Sequence, residues 1–187
     1  MSDGAIGSGS DARTGGRAAD IVRAMQERGL SIATAESLTG GLVASALVDV
    51  PGASAVLRGG LIAYATDLKH DLLRVDESLL AEHGAVHPDV AVEMAAGVRE
   101  LCGSDYGVAT TGVAGPEPQD GHAVGEVYVA VVTSTGSEVR GLFLAGDRGH
   151  VRVRTVEAAL ELVWERLSER ALVDALDLPV PTQVESE

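Results

Sequence analysis

Short apolar runs that break off at glycine-rich turns alternate along this chain with stretches spaced as helices. That alternation restricts the fold more than any other feature. Ser31–Ala35 is short and apolar and runs into Glu36-Ser37-Leu38-Thr39-Gly40-Gly41, after which Leu42, Val43, Ala46 and Leu47 recur at helical spacing. Leu57–Ala65 reads as a second strand, with Gly59-Gly60 marking a bulge or a close backbone approach. Tyr106–Thr111 is a third, ending in the turn Gly112-Val113-Ala114-Gly115-Pro116. Val124–Thr133 and Glu138–Leu144 read as adjacent strands of a hairpin joined through Ser134–Ser137. Helical spacing is found at Ala18, Ile21, Val22 and Met25, closed by Gly29, and again over 66–73. It recurs over 88–102, where Val90, Met94, Val98 and Leu101 mark one face and Pro88 sits in the first turn, and from Arg148 to about Leu167. Strands alternating with helices, plus one hairpin, predict an α/β fold: a three-layer α/β/α sandwich with a mixed sheet. Aromatics make up only 3% of the chain, so Ala, Val and Leu must fill the core, which suits helices lying close on a sheet.

At 187 residues there is room for one domain, expected over 17–170. The Gly-, Ser- and Asp-rich residues 1–16 and the Pro-containing, acidic end 171–187 read as tails, the first disordered. A net charge of -14 repels polyanions, and neither a basic face nor a stacking platform is legible, so nucleic acid is not an expected partner. The cations Arg148, Arg152 and Arg154 are close in sequence and read as solvated helix decoration, or could serve one small phosphate. Cys102, the single cysteine, lies among apolar residues and reads as a buried inert thiol. The N-terminus has neither a basic start nor an apolar stretch of signal length and no later run is of spanning length, which predicts a cytoplasmic protein with no membrane partner.

Ser37 stands where a strand should give way to a helix. There it could act as a nucleophile beside the N–H groups of the first helical turn, or Ser37 or Thr39 could simply cap that helix. No histidine is placed to serve as its base. Lys69 offers one, since a lysine desolvated in a pocket loses its proton more readily; the plain reading is a solvated lysine on a helix. Tyr64 falls at the end of a strand, where open α/β sheets form ligand sites. The Tyr64–Lys69 spacing is one residue too long for a short-chain dehydrogenase, and no Gly-x-Gly-x-x-Gly follows the first strand, which disfavours hydride transfer. The Thr111–Pro116 turn is built for close backbone approach, or is an ordinary tight turn, and Arg148 could pair with a phosphate or an acidic neighbour. His83 and His87 are four apart but are separated by Gly84 and followed by Pro88, so no metal site is expected.

In this order the motifs resemble the CinA C-terminal, or PncC, family. Those that carry the resemblance are Ala35-Glu36-Ser37-Leu38-Thr39-Gly40-Gly41, Gly60-Leu61-Ile62-Ala63-Tyr64 with Lys69, and Gly84-Ala85-Val86. Thr111-Gly112-Val113-Ala114-Gly115-Pro116, Val124-Gly125-Glu126-Val127 and Gly146-Asp147-Arg148 complete it. The similarity runs over roughly 17–168. It implies a cofactor-free, metal-free nicotinamide mononucleotide deamidase that releases nicotinic acid mononucleotide and ammonia. By the same match Ser37 is the nucleophile, Lys69 its base and Tyr64 a supporting catalytic group. Glu36, Thr39, Gly40, Gly41, Thr111, Gly112, Ala114, Gly115 and Arg148 are then expected to bind a small-molecule nucleotide, with N–H groups around Thr39–Gly41 holding the oxyanion. Leu38 stands where many relatives have cysteine, and the loop 117–123 lacks the family's Gly-Gly-Thr and Lys-Pro elements, with His122 near the usual lysine. An amidase for another small amide and a non-catalytic nucleotide-binding module are the alternatives. The larger members carry a further N-terminal domain for which this chain has no room, so a stand-alone form is expected. The apolar last helix bearing Trp164 suits a homodimer and a monomer's core equally.

Overall fold

The computed structural model describes residues 8–176, with side chains described from 14 to 172. Five strands form one mixed sheet in the order β2-β1-β3-β4-β5. They are β1 (Ile32–Glu36), β2 (Leu57–Ile62), β3 (Tyr106–Gly112), β4 (Glu126–Thr133) and β5 (Gly136–Phe143). The first three are parallel, while β4 and β5 pair antiparallel as the expected hairpin, turned by Ser134 and Thr135 alone. On one face lie α1 (Ser8–Arg28), α2 (Leu42–Val48) and α6 (Arg148–Leu176). On the other lie α3 (Thr66–Leu73), α4 (Glu77–His83) and α5 (Pro88–Cys102). The fold is the α/β/α sandwich that strand–helix alternation predicts. Among the described residues no helix is long and apolar enough to cross a membrane.

The two faces are packed differently, and the low aromatic content is the cause. Toward α1 and α6 the strands present Ile32, Tyr106, Val108, Val129 and Val131, and the helices answer with Ile21, Met25, Leu160, Val163 and Leu167. Toward α5 the fully buried apolar strand residues are Ala33, Ala35, Ala109 and Ala130, with Leu61, Tyr128 and Val132 partly buried around them. This alanine floor brings α5 onto the sheet backbone: a Cβ at Gly107 would stand 2.0 Å from the carbonyl oxygen of Ala95. The α3–α5 contact is equally close, since a Cβ at Gly97 would meet the Leu73 carbonyl oxygen at 1.9 Å. Backbone cannot yield to such an overlap as a flexible side chain can. Gly97→Ala is therefore expected to destabilise the fold by at least about 2 kcal/mol in urea unfolding. A variant with an unchanged midpoint would show that the α3–α5 contact is looser than these distances require.

Both expected tails need partial correction. Residues 8–16 are helical as the start of α1, although Gly15 and Gly16 are poor helix formers, because this stretch lies along α6, where Thr14 and Gly16 share a groove with Glu157 and Ala158. Residues 171–176 continue α6, there being no glycine or proline between Gly149 and Pro179 to stop it. Positions 1–7 and 177–187 lie outside the described residues. The short α4 has no fully buried residue and hence no strong apolar period, so sequence reading missed it; Asp76, whose carboxylate accepts from the N–H groups of Ser78 and Leu79, was the available signal. Cys102 is half-buried rather than enclosed. Trp164 packs partly against the core of its own domain, with Arg17 5.0 Å above its ring.

Candidate active site

The carboxyl ends of β1, β2 and β3 meet at one edge of the sheet, and the connections leaving β1 and β3 open a crevice there. Ser37 follows β1 directly. Its N–H donates to the Thr110 carbonyl (3.0 Å), which carries the β1–β3 ladder one residue beyond the strand. A tight turn then runs from Ser37 to Gly40, closed by Gly40 N–H on the Ser37 carbonyl at 3.1 Å. Gly40 and Gly41 both have positive φ, 60° and 96°, a pair of left-handed residues that a side chain would strain. Two glycines are needed here to turn the chain from strand into α2.

The bulge expected at Gly59-Gly60 is present as a register shift that skips Arg58, and a Cβ on Gly60 would meet the Thr34 hydroxyl at 2.4 Å. Beyond Ile62 the chain leaves the sheet, so that Ala63 and Tyr64, expected as strand, turn their carbonyls to Lys69 instead. Lys69 Nζ donates to Ala63 O at 2.8 Å and to Tyr64 O at 3.4 Å, and lies 3.4 Å from Ser37 Oγ. Its side chain is 0% exposed. Burial without a carboxylate at the ammonium lowers its pKa from 10.5 to about 8, against a smaller opposing pull from Asp67. The solvated-lysine reading is thereby excluded.

Tyr64 is 58% exposed, and its hydroxyl accepts from Arg148 Nη2 at 3.0 Å, while Arg148 Nη1 donates to Gly115 O at 2.8 Å. Arg148 thus spans from the end of β2 to the turn after β3. The Thr111 hydroxyl donates to Ala85 O at 2.6 Å and ties that turn to the loop before α5. Ser37, Tyr64, Lys69, Thr111, Gly112, Ala114, Gly115 and Arg148 all line one cavity of about 90 Å³. Val86 of the Gly84–Val86 motif and Glu117 and Gln119 of the divergent loop 117–123 also reach it, as does Thr66, which nothing in its spacing marks. A larger groove of about 510 Å³ between α1, β5 and α6 gathers none of the expected residues, and the arginines that line it are engaged in ion pairs such as Arg17–Glu161 and Arg140–Glu165.

Four expected substrate contacts lie elsewhere. Glu36 is buried, and its carboxylate accepts from the N–H groups of Gly41 (2.9 Å), Val43 (3.0 Å) and Ala44 (2.8 Å). It caps α2 from below, and a carboxylate there complements the helix dipole. Thr39 is buried against the Thr110 hydroxyl at 2.7 Å, and Gly40 and Gly41 shape the turn. Glu36, Thr39, Gly40 and Gly41 therefore frame the cavity without lining it. Of the N–H groups expected to hold an oxyanion, those of Gly40 and Gly41 are occupied by the Ser37 carbonyl and the Glu36 carboxylate, whereas among the described residues the N–H groups of Thr39 and of Leu38 before it have no hydrogen-bond partner.

His83 and His87 stack ring on ring, 4.4 Å between centroids, and among the described residues no cluster of three or more His, Cys, Asp or Glu side chains could hold a metal ion. His122 is paired with Glu126, whose carboxylate also accepts from the Tyr128 hydroxyl.

Residues 16–167 match the family model described as the CinA C-terminal domain. A CinA-like protein of Frankia casuarinae is 47% identical over 148 residues, 79% of this chain and 34% of the relative, and a putative competence-damage inducible protein of Bacillus velezensis is 40% identical over 151 residues, 36% of its length. The chain thus spans about a third of the curated relatives it matches. Among solved structures, the competence/damage inducible protein CihA of Agrobacterium tumefaciens superposes with a TM-score of 0.79 at 34% identity, covering 83% of this chain and 96% of that one. A CinA superfamily protein of Klebsiella pneumoniae superposes with a TM-score of 0.80 at 32% identity, covering 83% and 98%. With the family model matching 16–167, relatives 40% and 47% identical and solved structures superposing at TM-scores of 0.79 and 0.80, this chain belongs to the CinA C-terminal domain family.

Proposed function

We propose that the protein hydrolyses the carboxamide of nicotinamide mononucleotide, and the observation that carries this reading is the buried Lys69 amine 3.4 Å from Ser37 Oγ in a strand-end cavity. A lysine whose pKa is near 8 is neutral in a useful fraction of molecules at neutral pH and can act as a base. As Ser37 Oγ attacks the carboxamide carbon, its proton passes to Lys69 Nζ. The carbonyl electrons move onto oxygen, which the partnerless N–H groups of Leu38 and Thr39 can receive. Lys69 returns the proton to the amide nitrogen, the C–N bond breaks and ammonia leaves. Water then attacks the acyl ester, giving its proton to Lys69, which passes it to the departing Ser37 oxygen. Arg148 and the N–H groups of Ala114 and Gly115, which make no hydrogen bond among the described residues, are the partners for a substrate phosphate.

A second reading, hydrolysis of a smaller uncharged amide, is favoured by Glu117 in the lining and by a cavity volume of only about 90 Å³, below the roughly 300–1,000 Å³ of typical ligand pockets.

Ammonia release from nicotinamide mononucleotide, measured with a chelator present, tests the proposal. The expected kcat/KM rises about tenfold per pH unit and levels off above pH ~8, because the neutral amine is the active form. Turnover of small amides but not of the mononucleotide would establish the second reading, and a folded protein inactive on both would leave a binding module.

A further inference from the structure

Four residues after Arg148, on the next turn of α6, Arg152 reaches the turn that carries Ser37 from behind. Its Nε donates to the Leu38 carbonyl at 3.0 Å and its Nη2 to the Thr39 carbonyl at 2.8 Å, so one rigid guanidinium holds two consecutive peptide units. Among the described residues no carboxylate lies within ion-pair distance of it, unlike Arg140, Arg154 and Arg166 on the same side of the sheet. A half-buried cation spent entirely on carbonyls of a single turn does little as an ion pair, so its effect must be sought in that turn.

In a trans peptide the N–H points opposite to the C=O. The Ser37 carbonyl is held by Gly40 N–H, and the Leu38 carbonyl by Arg152. The N–H groups sharing those two peptide units, on Leu38 and Thr39, are therefore directed away from these partners. Among the described residues they are the two amides of the turn left without a hydrogen bond. Leu38 lines the cavity and is anchored beneath by Val151, Ala114 and Val127, with Val151 adjacent to Arg152 on α6. A cation on a peptide oxygen also polarises that peptide and strengthens its N–H as a donor.

We propose that Arg152 is a positioning residue that clamps the Leu38 and Thr39 carbonyls so that the N–H groups of Leu38 and Thr39 form the oxyanion-binding pair for the tetrahedral species on Ser37. This rests on the amide-hydrolysis reading and assigns Arg152 no contact with substrate. Loss of the clamp weakens donors that act in the transition state and leaves ground-state binding and the Lys69 environment alone.

The test uses a fluorophosphonate, which forms a tetrahedral adduct on an activated serine whatever the natural substrate. Labelling of Ser37 is followed by mass spectrometry in the parent, Arg152→Met and Arg152→Lys, alongside kcat and KM for amide turnover. Arg152→Met is expected to slow labelling and lower kcat by about 100-fold, the size of effect of removing an oxyanion donor, with KM and the pH midpoint of labelling unchanged. Arg152→Lys recovers part of the loss, because an ammonium can reach one carbonyl but not clamp both. Labelling of Arg152→Met at the parent rate, or a rise in KM with kcat intact, overturns the inference while leaving the hydrolase reading in place. If Arg152→Met does not fold, parent-like kcat in Arg152→Lys overturns it equally. A parent protein that neither labels at Ser37 nor turns over any amide overturns both.

Discussion

Lys69→Met is expected to lower amide turnover by at least about 10³-fold while making the folded chain more stable at neutral pH. The first effect follows from removing the base next to Ser37 Oγ, and Ser37→Ala should be as inactive. The second follows from linkage. The folded pKa of Lys69 is depressed, about 8 against 10.5, so the unfolded chain binds more protons between those values, and stability rises with pH across that window. Below pH 8 the full penalty for burying the ammonium applies, about 3 kcal/mol from the shift. Methionine fills similar space without charge, but the Ala63 and Tyr64 carbonyls each lose a donor at roughly 1 kcal/mol apiece, leaving a net gain of about 1 kcal/mol at pH 7. Denaturant titrations at pH 7 and pH 10 should show the advantage shrinking, and reversing, at the higher pH. Ser37→Ala should show no such pH dependence. Activity within tenfold of the parent, or a stability difference independent of pH, would remove Lys69 from the role given to it here.

Glu36→Ala should cost about 3 kcal/mol or more and take activity with it. Three backbone N–H groups at the start of α2 share this one buried carboxylate, and alanine would leave them unpaired in a place that water does not reach. Glu36→Gln should be nearly as damaging, since one of its two acceptors becomes an NH₂ facing backbone donors. Because Ser37 is the next residue, a loosened α2 terminus misplaces the nucleophile, so ammonia release should fall together with the urea midpoint. A variant that loses activity with its midpoint unchanged would return Glu36 to the substrate-contact role expected from sequence.

These expectations differ in where their evidence lies. The strand–turn–helix at Ser31–Leu47, the hairpin and the helix over 88–102 are local patterns, carried by apolar period and by glycine, and they reappear in the fold within two or three residues. The ordered motif set likewise pointed to Ser37, Tyr64, Lys69, Thr111, Gly112, Ala114, Gly115 and Arg148, and the chain brings all eight to one cavity. A residue that meets the site only through a long-range contact leaves no local pattern. Arg152 lies more than a hundred positions from the carbonyls it holds, and as one of three arginines close in sequence it reads as solvated decoration or as a phosphate partner.

The sequence by itself determined the alternation of elements and the small-residue core, because each depends on side-chain type at short spacing; Ser37 and Lys69 became candidates through the ordered motif set. Only the tertiary structure decided what those groups do. Whether Lys69 is a solvated cation or a base depends on its burial under the end of β2. Whether Glu36 touches a ligand or caps a helix depends on where α2 begins relative to β1. Which N–H groups remain for an oxyanion depends on which ones Glu36 and the turn itself have already engaged, while Arg152 holds carbonyls of the same turn. Burial and hydrogen-bond occupancy are properties of what surrounds a group, and here those surroundings come from segments far apart in the chain.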